Sequence, residues 1–163
     1  GLENLSLRRL ATQCGVSHNA IYRHFDSKER LIDACRAYVM QELTRTLELT
    51  LSGLDESLPQ TMEQLGTAYL DFYMRNPTYF SAYFRNASQK LTFSLEPIEG
   101  NYPPFSVFRR VAVAIAEKQG IPQDETRWQL LRYWTMLNGI FAMWISSNVE
   151  LPENWKTCLK NEF

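Results

Sequence analysis

An all-α fold is predicted by three observations on this sequence. Apolar residues recur at three- and four-residue spacing through almost its whole length, whereas the two-residue alternation of a half-buried strand is nearly absent. Proline and glycine fall at the ends of those periodic runs, as at Gly53, Pro59, Pro77, Gly120 and Pro122. Near the start, a glycine-centred turn joins two short amphipathic runs, which is an αα-hairpin pattern.

Taken in order, Ser6 is placed to cap a first helix whose apolar side is Leu7, Leu10 and Ala11, and Gly15 can take the positive φ that ends it. Val16 is expected to plug the corner. Ser17 is placed to cap a second helix with Ala20, Ile21 and Phe25 facing inward and His18, Asn19, Tyr22, Arg23 and His24 outward. Asp26 or Ser27 then caps a third, and Glu29 can close a capping box on Asp26. That helix runs from Lys28 to about Leu51 with Leu31, Cys35, Tyr38, Val39, Leu43, Leu47 and Thr50 on one face, and at 1.5 Å per residue it is roughly 35 Å long. It can bridge a small head, residues 1–50, and a helical body, residues 51–163.

Within the body, Gly53 to Leu58 reads as a turn, and Pro59 suits the first turn of a helix reaching about Asn76. Pro77 opens a short aromatic segment from Thr78 to Arg85, and an irregular stretch from Asn86 to Pro103 follows, long enough to be functional or mobile. Pro104 starts the next helix, closed by Gly120 and Pro122. Asp124 caps a long one from Glu125 to about Ser147 that is apolar on more than one face, and Pro152 opens a final amphipathic helix with Trp155 and Leu159.

Composition narrows the function classes. At 163 residues, with 45% hydrophobic residues, there is material for a core, so a disordered chain is excluded. The net charge of −1 argues against a strongly electrostatic nucleic-acid binder, but the first thirty residues hold five basic against three acidic side chains, a small surplus placed at the head. No run of about eighteen apolar residues or signal pattern occurs, which points to a cytoplasmic protein without membrane association. Cys14, Cys35 and Cys158 are widely spaced and lack the spacing of a metal site, so free, packed thiols and no metal are expected. Nucleophile elbows, phosphate loops and metal-binding helix motifs are absent, so no enzyme and no cofactor is expected.

The second helix is short, capped and polar outside, as an element entering a DNA major groove must be. Lys28 in the first turn of the third helix opposes that helix's dipole, a local cost that makes sense where a phosphate meets the helix end. The run Leu5 to Ile32, with its Leu-x-x-Leu-Ala helix, Gly15-Val16-Ser17, the Tyr22 and Phe25 pair and Ser27-Lys28-Glu29, closely resembles the DNA-binding segment of tetracycline-repressor-like (TetR-type) transcriptional regulators. That resemblance implies that Ser17, His18, Asn19 and Arg23 face bases or nearby phosphates and that Tyr22 and Lys28 hold the DNA backbone. Members of that family carry another helix ahead of this segment, so by the resemblance the sequence begins in the loop before Ser6 with the first helix missing.

Aromatic residues from several body helices, Tyr69, Phe72, Tyr73, Tyr83, Phe84, Phe105, Phe108, Trp134 and Phe141, can line a pocket for a small apolar or aromatic effector, with Asn138 as its polar group, or simply pack as a core. The Tyr69 to Phe84 and Trp134 to Gly139 stretches resemble a sensor domain found in part of the TetR-type family. That subgroup carries Trp followed by His-Gly, and here Asn138 stands at the histidine position. The leftover apolar face of the long helix predicts a homodimer, with Trp144, Trp155 and Leu159 as anchors. The function expected is a regulator, most simply a repressor released from a palindromic operator by its effector. The alternative is a ligand-independent DNA-binding dimer whose body binds a protein partner.

Overall fold

The computed structural model describes residues 6–84, 91–146 and 149–160, the side chains of His18 and of residues 81–84 excepted. Among these residues the chain forms α1 (Leu7–Gln13), α2 (His18–His24), α3 (Lys28–Leu51), α4 (Pro59–Arg75), α5 (Pro77–Phe84), α6 (Pro103–Gln119) and α7 (Gln123–Ile145), a 3₁₀ helix over Trp155–Leu159, and no strand. No described helix is long and apolar enough to cross a membrane.

Three serines set the starts of the first three helices. Ser6, Ser17 and Ser27 hold extended backbone, and each Oγ accepts the amide three residues on, from Arg9 at 3.3 Å, Ala20 at 3.2 Å and Arg30 at 3.2 Å. Each such cap stabilises its helix by about 1 kcal/mol. Because Ser27 is the cap of α3, Glu29 sits at the second helical position and the capping box with Asp26 does not form. The exposed Glu29 carboxyl is instead held below its usual range by its own backbone N–H and by the Ser27 hydroxyl.

The corner between α1 and α2 is a Schellman motif: Gly15, at φ +66°, donates its N–H to the Thr12 carbonyl at 3.2 Å, and Val16 donates to Ala11 at 3.0 Å. This geometry turns the Val16 side chain outward, 45% exposed, so it does not plug the corner as expected. Nothing lies within 4 Å of an added Cβ at Gly15, so a substitution there strains only the backbone. Gly15→Val is expected to lower stability by about 1–2 kcal/mol in a denaturant titration. Gly15→Asn, which tolerates the left-handed region, should recover part of that loss.

Helix α3 carries Leu31 buried in the head and Val39, Leu43, Leu47 and Leu51 buried in the body. Between them Cys35 and Tyr38 stand in solvent, Tyr38 at 56%, because no apolar layer covers that face at the neck. All three cysteines are exposed, contrary to the packed thiols expected. Around the body end of α3, α4, α6 and α7 close over fully buried Tyr69, Tyr73, Phe105, Phe108 and Phe141. Gly66 of α4 stands tight against α7: the Tyr133 hydroxyl, donating to the Met62 carbonyl at 2.9 Å, occupies the space a Cβ would need.

Several element ends differ from the sequence expectation. Helix α6 begins one residue earlier, at Pro103, and α7 begins at Gln123 after Pro122, which leaves Asp124 in its first turn facing the helix dipole favourably, but not as a cap. The stretch after Pro152 forms only a short 3₁₀ turn in place of an amphipathic α-helix. The described part of the irregular stretch is tied down: the Asn101 side chain brackets the backbone of Thr92, accepting its N–H at 3.1 Å and donating to its carbonyl at 2.9 Å, and Arg109 donates to the Leu95 carbonyl at 3.0 Å.

Candidate functional site

On α2, Tyr22 and Arg23 both fall about one helical turn after Asn19, and all three are exposed, Tyr22 at 48%. Ala20 and Ile21, half-buried, turn the other way. Ser17 sits exposed at the N-terminal end of this face, and because its Oγ accepts the cap bond its hydroxyl proton remains available to an acceptor. Lys28 lies half-buried in the first turn of α3. The His18 side chain lies outside the described residues. Arg8, Arg9 and Arg30 are exposed on the same small head, and they add positive charge that the assignment of individual contacts had passed over.

In the body, the rings of Tyr69, Tyr73, Phe105, Phe108, Trp134 and Phe141 pack on one another. Trp134 lies 5.4 Å from Tyr69, 5.2 Å from Phe105 and 5.4 Å from Phe108, and Tyr73 lies 5.5 Å from Phe141. Phe72 is half-buried at the edge of the cluster, 5.4 Å from Tyr73. The Tyr83 and Phe84 side chains lie outside the described residues. Asn138 is fully engaged by the protein: its Oδ1 accepts from the Tyr69 hydroxyl at 2.9 Å and its Nδ2 donates to the Trp134 carbonyl at 2.7 Å. Of these residues only Phe72 lines one of the described cavities, a cleft of about 480 Å³ between α3 and α4.

The residues expected to anchor a dimer do not share one open patch. Leu159 is already buried in its own chain at 2%, while Trp144, 5.4 Å from Phe141, and Trp155 are half-buried against the core. The large apolar side chains left open on α7 are Trp128, 59% exposed, and Met143, 46% exposed.

Sequence reading missed the polar clasp that ties the body to α3. Arg110 of α6 forks onto Glu48 of α3, with Nη1 and Nη2 at 3.0 and 2.7 Å from its two oxygens, and its Nε reaches Glu56 at 2.8 Å. These contacts hold the guanidinium above its ordinary pKa. Beside it, Asp55 accepts from the hydroxyl and backbone N–H of Ser57 and from Lys118, and these bonds bring its pKa down to about 2 from the ordinary 3.8. The partners from α6 stand 54 to 63 residues from theirs, so no local pattern marks these contacts. A carboxylate depressed on folding stabilises above its unfolded pKa and loses that contribution as pH falls through the folded one. Acidification from about pH 4 to pH 2 is therefore expected to weaken the Asp55 contacts, read as a smaller Lys118 dependence of stability: Lys118→Met should lower the melting temperature slightly at neutral pH and by less at pH 2.

Residues 1–35 match the family model of bacterial regulatory proteins of the tetR family. An HTH-type transcriptional regulator of Mycobacterium tuberculosis is 24% identical over 147 residues, 88% of this chain and 62% of that protein. The nucleoid occlusion factor SlmA of Pectobacterium carotovorum subsp. carotovorum is 32% identical over 77 residues, 47% of this chain and 38% of that protein. The chain thus spans less than two thirds of the length of these relatives. Among solved structures, the TetR family transcriptional regulator PfmR from Thermus thermophilus shares the fold at a TM-score of 0.65 and 18% identity, over 99% of this chain and 89% of that one. A protein from Rhodococcus sp. RHA1 does so at a TM-score of 0.68 and 21% identity, over 97% and 82%. The family model thus matches the helix-turn-helix head of this chain, and the all-helical fold is shared with a TetR family regulator along nearly its whole length.

Proposed function

We propose that this chain is a DNA-binding transcriptional regulator, acting in the cytoplasm as a homodimer on a palindromic operator and released from it by a small effector held in the helical body. The observation that carries the DNA-binding reading is the exposed face of Asn19, Tyr22 and Arg23 on a serine-capped seven-residue helix, with Lys28 at the start of the next. Such a helix is small enough for a major groove and offers an amide and a guanidinium to base edges. Two-fold pairing of the chain would present two such helices to half-sites about 34 Å apart or a multiple of it.

What supports effector control is the reach of α3. The same rigid helix has Leu31 in the head and Leu43 and Leu47 in the body, and Arg110 grips it at Glu48 from α6. A compound that spreads α4 or α6 away from α3 would therefore tilt the head. It shifts operator binding only through its differential affinity for the two arrangements, and a coupling of about 1–3 kcal/mol corresponds to a 5- to 150-fold change in operator affinity. The test is a thermal-shift screen of metabolites followed by operator titrations with each hit, and a drop in operator affinity within that span is expected. Hits that bind the body and leave operator affinity unchanged would instead favour the ligand-independent reading. That second reading draws on the likeness to nucleoid occlusion factors over 77 residues, and in it the body contacts a protein partner.

A further inference from the structure

The geometry points to a binding site for an organic cation, an amine with an apolar or aromatic body, in the cleft of about 480 Å³ between α3 and α4. This deepens the effector reading and rests on it only for the link to DNA, since the binding itself is read directly. The cleft stands outside the packed aromatic cluster. Its walls are the outer faces of α3 and α4, the hairpin that joins the neck to the body.

The chemistry follows from where the lining protons go. Thr46 and Thr50 on α3 donate their hydroxyls to the carbonyls of Glu42 at 2.8 Å and Thr46 at 2.9 Å, and Thr67 on α4 donates to the Glu63 carbonyl at 2.9 Å. With those protons committed to their own helices, the three hydroxyls can offer the cleft only lone pairs. Asn76 gives one Nδ2 proton to the Phe72 carbonyl at 3.2 Å and keeps its carbonyl oxygen as an acceptor, at the far end of the cleft from Glu63. Two carboxylates complete the set. Asp71 is paired through Oδ1 with Lys156 at 2.7 Å, whereas the Glu63 carboxylate carries no hydrogen bond or ion pair among the described residues.

The lining groups with protons to give are the exposed Gln64 amide, the second Nδ2 proton of Asn76 and the exposed Arg75 guanidinium. Arg75 lies twelve residues beyond Glu63 on the same helix, about 18 Å along its axis, so the Glu63 end of the cleft is clear of its charge. An ammonium seated at that end would meet the Glu63 carboxylate and threonine lone pairs, all acceptors, while Ala68 and the half-buried Phe72 ring receive an apolar body. An anion there would face the Glu63 carboxylate, with the neighbouring Gln64 amide as donor. Because Thr46 and Thr50 belong to α3, an occupant would press directly on the helix that carries the head.

The test compares three probes of one size on the purified protein by calorimetric titration: phenethylamine, phenethyl alcohol and phenylacetate. Phenethylamine is expected to bind at least about tenfold more tightly than the other two, and Glu63→Gln, isosteric and removing no internal bond, is expected to lose that preference without changing the melting temperature. Thr50→Val, which removes one acceptor, should weaken the amine by a smaller factor. Equal or tighter binding of the alcohol or the acid, no measurable binding of the amine, or an unchanged preference in Glu63→Gln would each overturn the site. Operator titration with the amine present separates the two readings. Binding with unchanged operator affinity leaves the site standing and removes effector control from it, while release of operator by some other compound, without amine binding, removes this site and keeps effector control.

Discussion

Replacing Trp134 with alanine will cost the fold about 3–5 kcal/mol, the range for deleting a large buried aromatic side chain. The ring is 4% exposed and is surrounded by Tyr69 of α4, Phe105 and Phe108 of α6, and Tyr102 just ahead of α6, with centroids 5.2–5.8 Å away. Deleting it leaves these four rings without a common partner, and stiff aromatic neighbours collapse poorly into the space. For a chain of this length each kcal/mol corresponds to roughly 2–4 °C, so a fall in melting temperature of about 6–20 °C is expected without any added ligand. A melting temperature that hardly moves would mean that the cluster is loosely packed, as the lining of an effector pocket would be. Tyr69→Phe makes a finer probe of the same place: it removes the donor to Asn138 and leaves a half-buried carbonyl oxygen unpaired, at about 1–3 kcal/mol.

That outcome bears on what the sequence could reveal. The head was legible because its signals are local: a serine three residues ahead of an amide it can accept, and a glycine where the chain must turn left-handed, lie within a few positions of each other. The one head residue misjudged, Val16, was read from its apolarity, while the Schellman bonds that turn its side chain outward are backbone geometry. In the body, periodicity placed the aromatic residues inside but could not say whether they enclose space or fill it. Those contacts join residues some thirty to seventy positions apart, such as Tyr69 with Phe108 and Tyr69 with Trp134. Leu159 shows the same limit. An amphipathic pattern marks it as buried, yet only the tertiary course shows that its own chain, and not a second copy, covers it. The α3–α4 cleft had no sequence signature at all, because threonines in a helix become acceptor-only groups through back-bonding that depends on their rotamers.

Two substitutions in the head are expected to fail in different ways on DNA. Asn19 projects an amide from the first turn of α2, where a side chain can pair bidentately with a base edge, so Asn19→Ala is expected to lose about 1–3 kcal/mol per head and to relax preference at one base of each half-site. In a symmetric dimer on a palindrome the loss is taken twice, roughly 2–6 kcal/mol, which is the largest functional effect expected from any single substitution here. Lys28 offers a point charge from the first turn of α3 and no base-reading geometry. Lys28→Ala should therefore weaken all sequences about equally and reduce the slope of log affinity against log salt by about 1 per head. Selection from a random DNA library with each variant, followed by titrations over a range of salt, distinguishes the two. An unchanged selected motif for Asn19→Ala, or a changed motif with an unchanged salt slope for Lys28→Ala, would reverse the assignment of reading and positioning between the two helices.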